Sequence, residues 1–180
     1  IAPEALAGKL KAWNALQFER VGLNLRPELV AVQDVNGQAE GFARVAKTVA
    51  ETSEFNLILM SGDPAVMKAG VAACAFKRPL IYGATAANLD AFAALAKGND
   101  LPLAVKAESV EGLVPLTTKL TEMGLKDLVL DTGSRDVRQS LQDMVAVRRA
   151  ALKDLNRAVG FPTIAFPCEM ASNLDVETML

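Results

Sequence analysis

The stretch NLILMSGDPAVM, residues 56–67, decides the fold class. It opens with a short apolar run, Asn56–Met60, and passes through a polar turn into Asp63-Pro64. Aspartate followed by proline is typical of a helix start, because the carboxylate accepts unpaired amide hydrogens and proline has no amide hydrogen to lose. The stretch therefore predicts a strand followed by a helix, the repeating unit of a parallel α/β sheet.

Similar units recur along the chain at intervals of roughly 25 residues, as right-handed βα crossovers require. After the first run, Asn36-Gly37 predicts a turn, and an apolar stripe from Phe42 to Val49 predicts a helix. Thr85 is the predicted cap of a helix that ends at Gly98, and Pro115 leaves open whether the next helix begins at Ser109 or later. The six predicted strands are residues 29–33, 56–60, 79–82, 102–105, 127–130 and 163–166.

The last long helix is predicted from a cap at Asp136 to about Val159. Basic residues accumulate toward its end, which indicates either a solvated face that complements the helix dipole or a docking surface for an acidic partner. Those residues are Arg148, Arg149, Lys153 and Arg157. The face predicted to be buried carries Val137, Leu141, Met144, Val145, Leu152 and Leu155.

Composition limits the chemistry. The 180 residues include 19 basic and 21 acidic side chains, two cysteines and no histidine, so an imidazole base or imidazole metal ligand is excluded and neither nucleic acid nor an anionic membrane is favoured as a partner. Cys74 and Cys168 are too few for a four-cysteine cluster and are expected to be free thiols, Cys74 in the core and Cys168 buried at a strand end. No apolar run reaches the ~20 residues of a membrane span, so a cytoplasmic protein is expected.

Two architectures fit the repeating units. One is a (βα)8 TIM-barrel-like fold, incomplete with six strands, and the alternative is an open doubly wound parallel sheet. A dinucleotide-binding open sheet would carry G-x-G-x-x-G after its first strand, and residues 33–37 lack it. We expect one domain over residues 1–180, with 1–27 an N-terminal capping segment in which Trp13 anchors a helix over 3–17, an extended piece at 21–25, and 28–180 the barrel portion.

In either architecture the functional edge is the carboxyl end of the strands. Lys106 there could form a Schiff base, as in aldolase barrels, and the segment 131–135 could present a carboxylate, backbone amides and an arginine to a ligand or form a plain turn. The principal candidates are Thr85, Asn88, Lys106, Asp131, Arg135 and Glu169; Gln33, Asp34, Ser61, Asp63, Thr132, Ser134 and Cys168 complete the polar edge. Of these, Asp63 and Thr85 are more simply read as helix caps.

Five strings together resemble one family. They are FERVGLNLRP (18–27), DPAVM (63–67), RPLIYGAT (78–85, with Asn88 following), LVLDTG (128–133) and RRAALK (148–153). The chain resembles the large (gamma) subunit of the corrinoid iron–sulfur protein of the acetyl-CoA synthase/CO dehydrogenase system. The resemblance implies a TIM-barrel portion of a larger methyl-carrying subunit.

The same resemblance implies cofactors and partners. The cofactors are a cobamide and a [4Fe-4S] cluster, held in modules that are not visible in this sequence. The partners are a small corrinoid iron–sulfur subunit, a methyl-pterin methyltransferase and acetyl-CoA synthase/CO dehydrogenase. We expect the barrel to act as scaffold and interface, with no catalytic or metal-ligating residue of its own; the alternative is a free-standing barrel enzyme, either a pterin-type methyltransferase or a lysine aldolase.

Overall fold

Residues 3–171 are described in a computed structural model of the chain. They group into two units, one containing residues 3–82 and 98–101 and the other residues 83–97 and 102–171. The helices are α1 (Pro3–Asn14), α2 (Ala39–Thr52), α3 (Pro64–Cys74), α4 (Leu89–Asn99), α5 (Val110–Glu122), α6 (Val137–Leu152) and α7 (Pro167–Met170). The strands are β1 (Phe18–Arg20), β2 (Leu23–Leu25), β3 (Leu29–Gln33), β4 (Asn56–Met60), β5 (Leu80–Ala84), β6 (Leu103–Lys106) and β7 (Leu128–Asp131).

The five longer strands form a parallel sheet in the order β3-β4-β5-β6-β7. This confirms the predicted α/β class. The order of these five strands in the sheet follows their order in the sequence, as in a (βα)8 barrel. Five such strands are compatible with an incomplete TIM-barrel-like sheet and also with an open sheet, the two alternatives raised by the sequence.

In the first unit, β3, β4 and the start of β5 pair in register, with Val32 opposite Leu59 and Leu59 opposite Ile81. Helices α2 and α3 pack closely because Gly70 has no side chain: a Cβ there would lie 2.8 Å from the Cδ1 of buried Phe42 and closer still to its Cε1. The Asp63 cap is confirmed, since its carboxylate accepts the Ala65 amide hydrogen at 2.7 Å. Strands β1 and β2 form an antiparallel hairpin where the sequence predicted only an extended piece.

In the second unit, β6 and β7 pair along their length, from Leu103 opposite Leu128 to Lys106 opposite Asp131. Ser109 caps α5, accepting the Gly112 amide hydrogen at 3.1 Å, so this helix contains Pro115 in its interior. The early start of α5 is possible because only one amide, that of residue 115, is lost from the ladder.

Three predicted elements are wrong in detail. Residues 163–166 form no strand: Thr163 makes a single parallel bridge to Leu130, because Pro162 and Pro167 on either side donate no hydrogen bonds to a ladder. The predicted long helix ends at Leu152, and a 3-10 turn follows at Arg157–Val159. Trp13 does not anchor α1, because it is 40% exposed while Leu6 and Leu10 are buried.

The buried face predicted for α6 is also wrong. The six apolar residues assigned to it are all exposed; only Ser140 and Val147 of this helix are buried. A helical repeat shows that one side is apolar, but it does not show whether another element covers that side.

None of the helices in residues 3–171 combines the length and the apolar character that a membrane-spanning segment needs.

Candidate functional site

Asp131, the last residue of β7, is the most buried charged side chain among the sequence candidates, at 1% exposed. Its Oδ1 accepts hydrogen bonds from the Gly133 amide at 2.8 Å and from Arg135 Nη1 at 3.1 Å. Its Oδ2 accepts from Arg135 Nη2 at 2.9 Å. The two guanidinium bonds form a bidentate ion pair, the geometry in which arginine holds a carboxylate most specifically.

Arg135 also binds a more distant segment. Its Nε donates to Glu169 on α7, and its guanidinium carbon lies 4.8 Å from the centre of the Phe166 ring, within cation–π range. We call Asp131, Arg135, Phe166 and Glu169 the Arg135 clamp. The structure thus brings together three of the six principal candidates, and adds Phe166, which the sequence reasoning missed.

Gly133 permits the turn that forms the clamp. Its φ is +76°, a left-handed conformation that favours glycine, and a Cβ there would lie 3.3 Å from both the Ala107 carbonyl carbon and Glu108 Cα, with the Ala107 oxygen closer still. The Ala107 amide in turn donates to the Asp131 carbonyl at 3.1 Å. The β7 end and the residues after β6 therefore pack backbone against backbone.

Ser134 belongs to a second polar group at the start of α6. Its hydroxyl donates to Asp143 Oδ2, and Gln139 Nε2 donates to Asp143 Oδ1 at 2.8 Å. Asp143 was missed by the sequence reasoning, although its position four residues after Gln139 on a helix is the spacing at which side chains meet. This group orders the turn that follows Gly133.

A separate polar edge lies in the first unit. Asp34 Oδ1 accepts the amide hydrogens of Asn36 and Gly37, at 3.2 and 2.8 Å, and its Oδ2 accepts the Ser61 hydroxyl at 3.0 Å. The Ser61 oxygen accepts the Asp63 amide hydrogen at 3.2 Å. These bonds join the carboxyl ends of β3 and β4, and a cavity of about 320 Å³ opens beside them. Gln33 lines this cavity and is exposed.

The other candidates take simpler roles. Asn88, not Thr85, precedes the first turn of α4, because its carbonyl accepts the Phe92 amide hydrogen. The predicted Thr85 cap is wrong because the chain makes one further turn, in which Asn88 Oδ1 accepts the Thr85 amide hydrogen at 2.7 Å. Lys106 is half-buried and forms no ion pair with any described residue. Thr132 is a buried polar residue, with 8% of its surface exposed.

The two cysteines differ. Cys74 is buried, and desolvation raises the pKa of its thiol from 9.0 to about 11, which keeps it protonated and unreactive. Cys168 is exposed, so the predicted buried strand-end thiol is wrong: residue 168 lies on α7 and not in a strand. Within residues 3–171, no group of three or more Cys, Asp or Glu is arranged to hold a metal ion.

The donor set of this chain does not fit a [4Fe-4S] cluster, which takes four thiolates, because the chain has two cysteines. It contains no imidazole that could ligate cobalt. The Arg135 clamp, with its cation already engaged by two carboxylates and an aromatic ring, is suited to holding strand ends and loops in place.

A protein family matches almost the entire chain. The model described as CO dehydrogenase/acetyl-CoA synthase delta subunit matches residues 2–179. The chain belongs to this family. The corrinoid/iron-sulfur protein large subunit of Moorella thermoacetica is 38% identical over 165 residues, which cover 92% of this chain and 37% of that protein.

Two further relatives are gamma subunits of acetyl-CoA decarbonylase/synthase complexes. The gamma subunit of the acetyl-CoA decarbonylase/synthase complex of Methanopyrus kandleri is 36% identical over 166 residues, covering 89% of this chain and 35% of that subunit. The gamma 2 subunit of the corresponding complex of Methanosarcina thermophila is 36% identical over 152 residues, covering 82% of this chain and 32% of that subunit. The resemblance to the large (gamma) subunit is confirmed. The chain spans about a third of the length of the curated relatives it matches.

Proposed function

We propose that this chain is the scaffold and interface portion of a corrinoid iron–sulfur methyl-carrier subunit. The subunit would move a methyl group from a methyl-pterin methyltransferase to acetyl-CoA synthase. The observation that carries the proposal is the 38% identity to the Moorella large subunit over 92% of the chain. At the strand-end edge, Arg135 donates hydrogen bonds to Asp131 and to Glu169, which agrees with a scaffold role for this part of the chain.

Cofactors and partners follow from this proposal. A cobamide and a [4Fe-4S] cluster would be held by parts of the carrier outside residues 3–171, and no covalent step takes place on a residue described here. The partners would be the small corrinoid iron–sulfur subunit, the methyl-pterin methyltransferase and acetyl-CoA synthase/CO dehydrogenase, in the cytoplasm. We also propose that residues 1–180 act as one βα-repeat domain, with 1–27 as its capping segment.

The residues of this chain would do two things in that carrier. The Arg135 clamp holds the end of β7 against residues 166–170, because the buried Asp131 carboxylate is stable only while Arg135 neutralises it. Lys106 adds a positive charge to the same end of the β6–β7 pair, with no ion-pair partner among the described residues. We assign this edge to contact with the corrinoid-bearing module or the methyltransferase.

The test is steady-state methyl transfer by the full-length subunit assembled with its small subunit. We expect Lys106→Glu to raise the KM for the methyltransferase about fivefold to tenfold with kcat nearly unchanged, since reversing an interface charge acts mainly on association. Lys126→Glu is the matched control, because Lys126 is exposed and lies two residues before β7 begins, at the end of that strand away from Asp131. The KM of this variant for the methyltransferase should stay within about twofold of the parent value.

Two results would count against the proposal. A full-length subunit that accepts no methyl group from the methyltransferase removes the carrier role altogether. Equal KM values for the two lysine variants leave the carrier role intact but remove the methyltransferase as the partner that contacts the strand-end edge.

A further inference from the structure

A cavity of about 320 Å³ lies at the carboxyl end of β3, inside the first unit. It is lined by the last residues of β3, the turn that follows and the first turns of α2. Ligands of parallel α/β sheets bind at the carboxyl ends of the strands, in pockets of about 300 Å³ or more. We call this space the β3–α2 cavity. Its polar lining residues are Gln33, Asp34, Asn36, Gln38 and Arg44.

One wall of the cavity is apolar and fixed in place. Val32 and Phe42 are buried, at 6% and 5% exposed, and half-buried Val45 follows on α2. The Phe42 ring packs against Gly70 of α3, where no side chain intervenes. The packing of α2 on α3 therefore forms this wall in advance, and the wall suits the apolar part of a small molecule.

Asp34 places an oriented carboxylate in the same cavity. Its two oxygens accept three hydrogen bonds, from the Asn36 and Gly37 amides and from the Ser61 hydroxyl. Among residues 3–171, Oδ2 accepts only the Ser61 hydroxyl, whereas a carboxylate oxygen can accept two bonds. One acceptor position of Asp34 is therefore available to a donor in the cavity.

Arg44 brings the opposite charge. It is exposed on α2, and its side chain forms no hydrogen bond or ion pair with any residue in the range 3–171, Asp34 included. A guanidinium group binds a carboxylate through two parallel hydrogen bonds. The cavity thus presents a carboxylate and a guanidinium that do not pair with each other, beside an apolar wall.

These features select the ligand. A simple anion would meet Asp34 and also Glu40, in the first turn of α2, against the single charge of Arg44. A metal ion is not favoured, because the described residues include no group of three carboxylates or thiolates arranged to hold one. A molecule that joins an ammonium and a carboxylate to an apolar group pairs with both charges and covers the wall.

We propose that the β3–α2 cavity binds a small zwitterion of the α-amino acid class with an apolar side chain. The ammonium donates to Asp34 Oδ2, the carboxylate accepts from Arg44, and the side chain lies against Val32 and Phe42. This site is an addition to the proposed carrier function and does not depend on it.

The experiment is equilibrium dialysis of the full-length protein against radiolabelled L-leucine. We expect saturable binding at a single site. Isocaproate lacks the ammonium of leucine and isoamylamine lacks its carboxylate, so each should compete about tenfold more weakly than leucine, or worse, because one charged hydrogen-bonding group is lost.

Two variants locate the site. Arg44→Gln should weaken leucine binding about tenfold or more, whereas Arg138→Gln, the same change at an exposed arginine of α6, should leave it within about twofold. Gly41 lines the cavity from α2, and a Cβ there would lie 3.8 Å from Gln38 Cβ, an ordinary contact. Gly41→Leu should therefore fill the cavity and abolish binding without lowering the melting temperature.

Several results would overturn the proposal. No saturable leucine binding means that the cavity holds only water or is filled by another part of the polypeptide. Competition by isocaproate equal to that of leucine means a simple anion site, and equal competition by isoamylamine means a cation site. Unchanged binding in both Arg44→Gln and Gly41→Leu places the leucine elsewhere. Methyl transfer is assayed separately, and its failure would remove the carrier role without changing these binding results.

Discussion

Replacing Gly133 by alanine should destabilise the second unit for two separable reasons. The first is backbone strain: at a φ of +76°, an L-residue costs about 1–2 kcal/mol, of which about 0.4–1 kcal/mol is returned by the stiffer unfolded chain. The second is crowding, because the new Cβ would lie 3.3 Å from the Ala107 carbonyl carbon and closer to its oxygen. Backbone atoms cannot swing aside as a long side chain can, so we add about 1–3 kcal/mol and expect a total of about 1–5 kcal/mol.

Gly124→Ala is the matched control for the strain. Gly124 lies in the same unit with a φ of +92°, but only the flexible Nζ of Lys97, at 4.0 Å, approaches the position that a Cβ would occupy there. Its loss should be about 1 kcal/mol. The free energy of unfolding is measured by urea titration with circular dichroism, and hydrogen exchange of the residue 133 amide checks whether its bond to Asp131 is broken. Equal losses for the two variants would refute the crowding argument.

Three further outcomes follow from particular contacts. Arg135→Ala should lower the free energy of unfolding by about 2–4 kcal/mol in a urea titration, because it strands the buried Asp131 carboxylate; an additional Asp131→Asn change should recover part of the loss, and no recovery would contradict the ion-pair account. Gly70→Ala should cost about 1–3 kcal/mol by thermal melting, because its Cβ meets the Phe42 ring, and Phe42→Leu in the same chain should reduce the penalty. Stability should fall by about 2 kcal/mol between pH 9 and 11, since the Cys74 thiol ionises in the unfolded chain before it does in the folded one; Cys74→Ala should flatten that part of the profile relative to the parent chain.

Local signals predicted well wherever the determining contacts are close in sequence. The Asp63 cap, the apolar stripe of α2 and the βα alternation all depend on residues within one or two helical turns of one another. The family was also accessible from short strings such as DPAVM and LVLDTG, and the family model matches residues 2–179. Asp131 and Arg135 were predicted as one candidate segment for the same reason, since only three residues lie between them.

Predictions that depended on the surroundings of a residue were the ones that failed. Cys168 was expected to be buried and is exposed, and the apolar row of α6 was expected to face the core and faces outward. Thr85 and Asn88 both have side chains that can cap a helix, and the choice between them depended on one extra turn of backbone. Burial depends on which other segments pack against a surface. The periodicity of that surface carries no information about those segments.

The sequence by itself determined the α/β class, the alternation of strands and helices along the chain, and the family. It also excluded imidazole chemistry, because the chain has no histidine. Only the tertiary structure decided that Glu169 and Phe166, more than thirty residues beyond Asp131 in the chain, close around Arg135 to complete the clamp. It also decided which arc of α6 remains open. The physical reason is the same in both cases: hydrogen bonds and packing between distant segments form only once the backbone has folded, and their partners leave no periodic trace in the sequence.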